Sequence, residues 1–259
     1  MRMMKKVLGT VTVLALSASL LAGCGSTAAS PVSSAASTAA ESTTSSVVSE
    51  TTSAAADENV AAAAQLLNDL TGSYQELWPV ILADEYQQTW LDDCTALVGE
   101  ENAEVAFEKL SSMVTSDVYG EDAVEAYANG GGAYFCGFTN SLATLTFDGE
   151  TSTISGTDKD GNVLFSHTYH YIGMEPVHGL YEFESDDADS GEFTYFFLAP
   201  DTSAETYHIE FRYGSDADAL SQYDAGDYAY WLASGISTDC DQTMIDKCIE
   251  LFCTENLAG

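Results

Sequence analysis

The stretch Leu142-Ala143-Thr144-Leu145-Thr146-Phe147-Asp148-Gly149-Glu150-Thr151-Ser152-Thr153-Ile154-Ser155-Gly156-Thr157 sets the fold class of this chain. Apolar and polar residues alternate on both sides of Asp148-Gly149, a dipeptide suited to a tight hairpin turn, so the stretch predicts two half-buried antiparallel strands. The same pattern continues past Asp160-Gly161. It predicts strands near 133–138, 142–147, 151–157, 163–172, 180–184, 193–198 and 206–213. Short strands in series with no helical interruption indicate a barrel or a sandwich. Before them the period is helical. Val60, Ala63, Leu67 and Leu70 form one stripe, Tyr86, Trp90, Cys94 and Leu97 a second, and Ala103, Phe107, Leu110 and Val114 a third. After them, Asp239 and Gln242 form a candidate capping pair for a last helix carrying Ile245, Cys248, Ile249 and Phe252. The expectation is a mainly β domain, a barrel with flanking helices.

Outside this domain the composition changes abruptly. Arg2, Lys5 and Lys6 precede an apolar run from Val7 to Leu21, and Leu21-Ala22-Gly23-Cys24 then closes a leader too short to span a bilayer comfortably. This is the pattern of a bacterial lipoprotein signal, residues 1–23, with Cys24 as the lipidated residue. From Ser26 to Ala56 only Pro31, Val32, Glu41, Val47, Val48 and Glu50 are not Ser, Thr or Ala. Residues 24–56 therefore read as a disordered stalk that holds its cargo about 30 Å from the surface. Residues 57–259 read as one domain, on the extracytoplasmic face of the cell membrane.

Charge narrows the partners. Once the leader is removed, Lys109, Lys159, Arg212 and Lys247 stand against 41 acidic residues. Such a field repels nucleic acid and concentrates cations. Five cysteines remain beyond Cys24, namely Cys94, Cys136, Cys240, Cys248 and Cys253. An odd number cannot all pair within one chain, and no C-x-x-C spacing is present.

Signals for catalysis are poor. The chain has no G-x-S-x-G elbow, no H-E-x-x-H, no P-loop and no G-x-G-x-x-G, and the expectation is a binding protein that is not an enzyme. The run Glu184, Asp186, Asp187, Asp189, Glu192 lacks calcium-loop offsets and reads as a solvated hairpin tip. Of the four histidines, His208 is two residues from Glu210. On a strand both point to one side, offering an imidazole nitrogen and a carboxylate oxygen, both competent for zinc. A tetrahedral site needs at least one more protein ligand, and Arg212 on the same face is an alternative partner for Glu210.

Several motifs, taken in order, resemble the ZinT (YodA) zinc-binding family. Gly72-Ser73-Tyr74-Gln75-Glu76-Leu77-Trp78-Pro79 resembles that family's opening helix motif, and Tyr169-His170-Tyr171-Ile172-Gly173 its Tyr-x-Tyr-x-Gly strand end. Gly179-Leu180-Tyr181-Glu182-Phe183-Glu184 is similar to its Gly-led strand, and Phe197-Leu198-Ala199-Pro200 to a strand ending in two aliphatics, Ala and Pro. His208-Ile209-Glu210-Phe211, with Gly214, falls where the family has His-x-His and a glycine. The resemblance spans about Leu70 to Leu257. It implies a lipocalin-like (calycin) antiparallel β-barrel and an extracytoplasmic zinc-binding role supporting zinc uptake or metal homeostasis, with a metal ABC importer as partner.

Three histidines line the barrel mouth in that family. Here Phe196 takes the first position, His208 keeps the second and Glu210 replaces the third, and the family's histidine-rich segment is missing. The resemblance thus implies a remodelled site for zinc or a similar divalent cation, in which His208 and Glu210 are joined by a neighbour such as His170 or Glu182. The other reading is a non-metal module whose aromatic mouth (Tyr195, Phe196, Tyr213) takes a small ligand or a partner protein.

Overall fold

The period-two alternation becomes an antiparallel barrel because each strand finds its sequence neighbour on one edge. The computed structural model describes residues 46–199 and 208–258. Among these, the strands are β1 (Gly72–Glu76), β2 (Thr144–Asp148), β3 (Thr153–Thr157), β4 (Val163–Met174), β5 (Tyr181–Ser185), β6 (Tyr195–Leu198), β7 (His208–Gly214) and β8 (Ala233–Ser237). They pair in sequence order, and β8 closes onto β1 through Gln75 opposite Ile236. An eight-stranded antiparallel barrel of this connectivity is the lipocalin-like (calycin) architecture, and closure removes the exposed edges an open sheet would present.

The helices are α1 (Ser46–Asp69), α2 (Leu77–Ile81), α3 (Gln87–Val98), α4 (Ala103–Ser112), α5 (Glu121–Ala128), α6 (Ala217–Leu220) and α7 (Gln242–Leu257). The chain divides into two units, Met1–Glu58 and Asn59–Gly259, and the barrel lies in the second. Helix α1 begins at Ser46, inside the stretch that composition assigns to the stalk. Its alanines, at 54–56 and 61–64, are the residues of highest intrinsic helix propensity. The leader and Cys24 lie outside the described residues.

Two cores follow from the alternation. Inside the barrel, Tyr74, Leu145, Phe147, Ile154, Phe165, Tyr169, Phe183, Phe196, Phe211 and Tyr213 pack with Ala63, Leu66, Leu67 and Leu70 of α1. On the barrel's outer face, α2, α3, α4 and α7 enclose Leu77, Trp78, Ile81, Trp90, Cys94, Leu110, Ile249 and Cys253 against Ile236. Gly149 shows how tightly α1 approaches the β2–β3 hairpin, since a Cβ there would stand 2.4 Å from the Cα of Asn68. Its small size is needed for that approach, and its amide also donates to Thr71 Oγ1 at 3.1 Å.

Three local expectations differ from the structure, and one strand has no sequence signal. Gly72–Glu76, within the motif read as an opening helix, is strand β1, and the helix starts only at Leu77. Tyr74 must reach the barrel interior, and an extended chain delivers it there while leaving its neighbours partly exposed. Residues 133–138 form no strand. Strand β1 covers one edge of β8 only over residues 235–237, and just ahead of it Phe135 and Cys136 accept the amides of Leu232 and Ser234 at 3.0 Å each, so Phe135 makes only isolated bridges, to Thr115 and Trp231. Strand β8 itself, Ala-Ser-Gly-Ile-Ser, has one large apolar residue and no visible alternation. The last helix is capped by Asp241, whose carboxylate accepts the Met244 amide at 3.0 Å, and not by Asp239.

Candidate functional site

Strand β7 decides the site, because alternation sends its residues to opposite sides of the barrel wall. Register pairs Phe196 with Tyr213 and Leu198 with Phe211, so Phe211 and Tyr213 point inward with Phe196. All three rings are fully buried, with Phe196 centred 5.4 Å from Tyr213 and 6.3 Å from Phe211. His208, Glu210 and Arg212 therefore project outward. His208 and Glu210 are side by side and partly exposed, and Glu210 lies opposite Ser234 of β8. Cys136 is near the same patch. Burial pushes its thiol up to about 12, and the Glu210 carboxylate pushes in the same direction.

The expected third donors are elsewhere. Phe196 is on the opposite side of the wall from His208 and Glu210, so the three positions cannot surround one ion. His170 is on β4, separated from β7 by β5 and β6, about 14 Å away at the usual strand spacing. Its Nδ1 is 2.7 Å from Asp186 and its Nε2 is 3.9 Å from Glu184. Glu182 shares a cross-strand row with Phe197 and Arg212, not with His208. Its carboxyl is raised by burial, then by Glu175 and Asp218. Among the described residues no group of three or more His, Cys, Asp or Glu side chains is placed to hold a metal ion.

The aromatic mouth is not formed either. Tyr195 lies on the outer wall and donates to Glu184 at 3.1 Å. Tyr213 accepts the Thr139 amide at 2.6 Å and donates to its carbonyl at 2.9 Å. Phe138 packs edge-on against Phe211, with centroids 5.3 Å apart. This end of the barrel is packed with rings, leaving Phe196 and Tyr213 no exposed surface for a ligand.

Arg212, the sole arginine after the leader, performs a different task from pairing with Glu210. It is fully buried, its guanidinium donating to the carbonyls of Leu220, Gln222 and Tyr228, and it lies 4.1 Å over the Tyr223 ring. Burial lowers its pKa, opposed chiefly by Tyr223. Beyond Tyr223, the His178 ring lies tilted with its centroid 3.7 Å away, and Glu175, also fully buried, accepts the amides of Val177 and His178 at 2.9 and 2.5 Å. The assembly clamps the segment after β7 onto the barrel wall. A lone arginine amid apolar neighbours was its sequence signal.

No family model and no curated protein sequence matches this chain. Among solved structures it is similar to the Zn(II)-bound ZinT-like domain of Streptococcus pneumoniae AdcA, at 14% identity and a TM-score of 0.45, over 71% of this chain and 89% of that one. It is also similar to Zn(II)-bound AdcA from the same organism, at 14% identity and a TM-score of 0.42, over 70% of this chain and 34% of the longer AdcA chain.

Proposed function

We propose that this protein is a lipid-tethered, extracytoplasmic zinc-binding protein that takes the ion as cargo on the outer wall of its barrel and passes it toward a metal ABC importer. The observation that carries this reading is the placement of His208 and Glu210 side by side on the outward face of β7. One neutral imidazole nitrogen and one carboxylate oxygen are both good zinc donors. A three-histidine cage does not fit this chain, because position 196 points into the packed interior. The pair is one protein donor short of a tetrahedral site, and at an exposed position that donor would come from an incoming carrier, which favours exchange over storage. The acidic surface raises the local cation concentration around the pair. The chemistry is binding and release, with no catalytic step.

Calorimetric zinc titration of the full chain, with His208→Ala and Glu210→Gln at low and physiological salt, tests the site. Each substitution should weaken binding at least tenfold, and binding should fall with pH as the imidazole takes up a proton. Wild-type affinity should change little with salt. Binding that survives both substitutions, or that moderate salt abolishes, belongs to the diffuse acidic field and ends this reading. For the tether, Cys24→Ala should release the protein from the membrane fraction or block its processing. A processed variant that stays in membranes refutes lipidation.

A further inference from the structure

Helices α3 and α7 pack side by side in the outer core, and they meet at two sulfurs. Cys94 on α3 and Cys253 on α7 are both 0% exposed, with Sγ atoms 3.8 Å apart. Trp90, Ile249 and Tyr86 belong to the same buried cluster, so neither thiol has water as a neighbour. We propose that Cys94 and Cys253 become joined by a disulfide as the chain folds outside the reducing cytoplasm, stapling the C-terminal helix to α3. The pairing requires the extracytoplasmic location proposed above and is independent of zinc.

The geometry favours this pair over a chance neighbourhood. The sulfurs already touch, and bond formation at about 2.0 Å needs an approach of about 1.8 Å, within reach of side-chain rotation and a small helix shift. The oxidant is an external disulfide, either of a thiol oxidoreductase or of a small oxidised thiol. One cysteine, as thiolate, attacks it to form a mixed disulfide and expels one thiol. The second thiolate then attacks the mixed disulfide and expels the other. Two protons leave the cysteines and two electrons reduce the external disulfide to two thiols, so the exchange balances. Burial raises both thiols once the helices have docked, which makes the thiolate scarce. Exchange therefore belongs to the folding chain, before α7 closes over α3. After docking, the same burial shields the bond from reductants. Cross-linking residues 159 apart closes a long loop in the unfolded chain, where the entropic gain is large.

The test begins with the full chain isolated from cells quenched with iodoacetamide. Digestion should yield one peptide pair linking Cys94 to Cys253, two hydrogens lighter than the separate thiols. Protein unfolded and refolded in reductant should melt about 10 °C below the oxidised protein, and Cys94→Ala or Cys253→Ala should each abolish that difference. Alkylated Cys94 and Cys253, or a link from either to a different cysteine, overturns the proposal. If fractionation finds the protein in the cytoplasm, the location has failed, and refolding the purified chain in a glutathione redox buffer decides the pair separately. Linkage there supports it and alkylation there overturns it.

Discussion

Phe196→His separates the geometry found here from the one the sequence motifs imply. If position 196 and the His208–Glu210 pair surrounded one ion, a histidine at 196 would complete the set and tighten zinc binding. In the barrel Phe196 is 0% exposed, its ring centred 5.9 Å from Phe165, 5.4 Å from Tyr169 and 5.4 Å from Tyr213, on the opposite side of the wall from both donors. Imidazole is close enough in size to leave little cavity, so two costs dominate. Losing the apolar burial of the phenyl ring costs about 2 kcal/mol. Leaving a ring nitrogen without a partner among aromatic faces costs about 1–3 kcal/mol more. A total of about 3–5 kcal/mol in a domain of this size lowers the melting temperature by roughly 10 °C. Calorimetric unfolding and zinc titration of the same preparation read both consequences. The expected result is a destabilised protein with unchanged zinc affinity. Tighter zinc binding at an unchanged melting temperature would mean that 196, 208 and 210 face one site, and would refute the assignment of strand faces.

Arg212→Ala should remove the donors to the carbonyls of Leu220, Gln222 and Tyr228, destabilising the protein by about 3 kcal/mol and speeding hydrogen exchange first in residues 215–231; uniform exchange throughout would argue against a local clamp. Alkaline stability should break above pH 10. Burial raises the phenols of Tyr169, Tyr213 and Tyr223, and pushes Tyr127 up to about 12. A phenol whose folded pKa lies above its unfolded value near 10 contributes stability that is complete below pH 10 and lost as the pH rises through the folded values. Tyrosinate absorbance from the buried rings should thus appear together with unfolding, and ionisation of all 14 tyrosines near pH 10 with the circular dichroism unchanged would contradict it.

The sequence by itself determined the strand-forming centre. Alternation in Leu145, Phe147 and Ile154 is a local property, and Asp148-Gly149 marks the hairpin with no knowledge of what packs above it. The helical stripes were legible for the same reason, since Trp90 and Cys94 in one helix, and Ile245, Cys248 and Ile249 in another, repeat at a period that only a helix turns into one face. That His208 and Glu210 share a face also follows from strand period alone.

Which side of the wall that face is on did not follow. Phe196 and Glu210 are 14 positions apart, and whether they meet depends on cross-strand register, set by the whole barrel's packing. Strands β1 and β8 were silent for a related reason. In Gly-Ser-Tyr-Gln-Glu and Ala-Ser-Gly-Ile-Ser, the pattern of large apolar residues is too sparse to predict a strand, and their pairing with each other, which closes the barrel, spans most of the chain. The meeting of Cys94 with Cys253 and the seating of Arg212 under three carbonyls likewise exist only once distant segments dock. Periodicity fixes a residue's direction relative to its own element, whereas a site requires elements fixed relative to one another, and that is supplied by long-range packing.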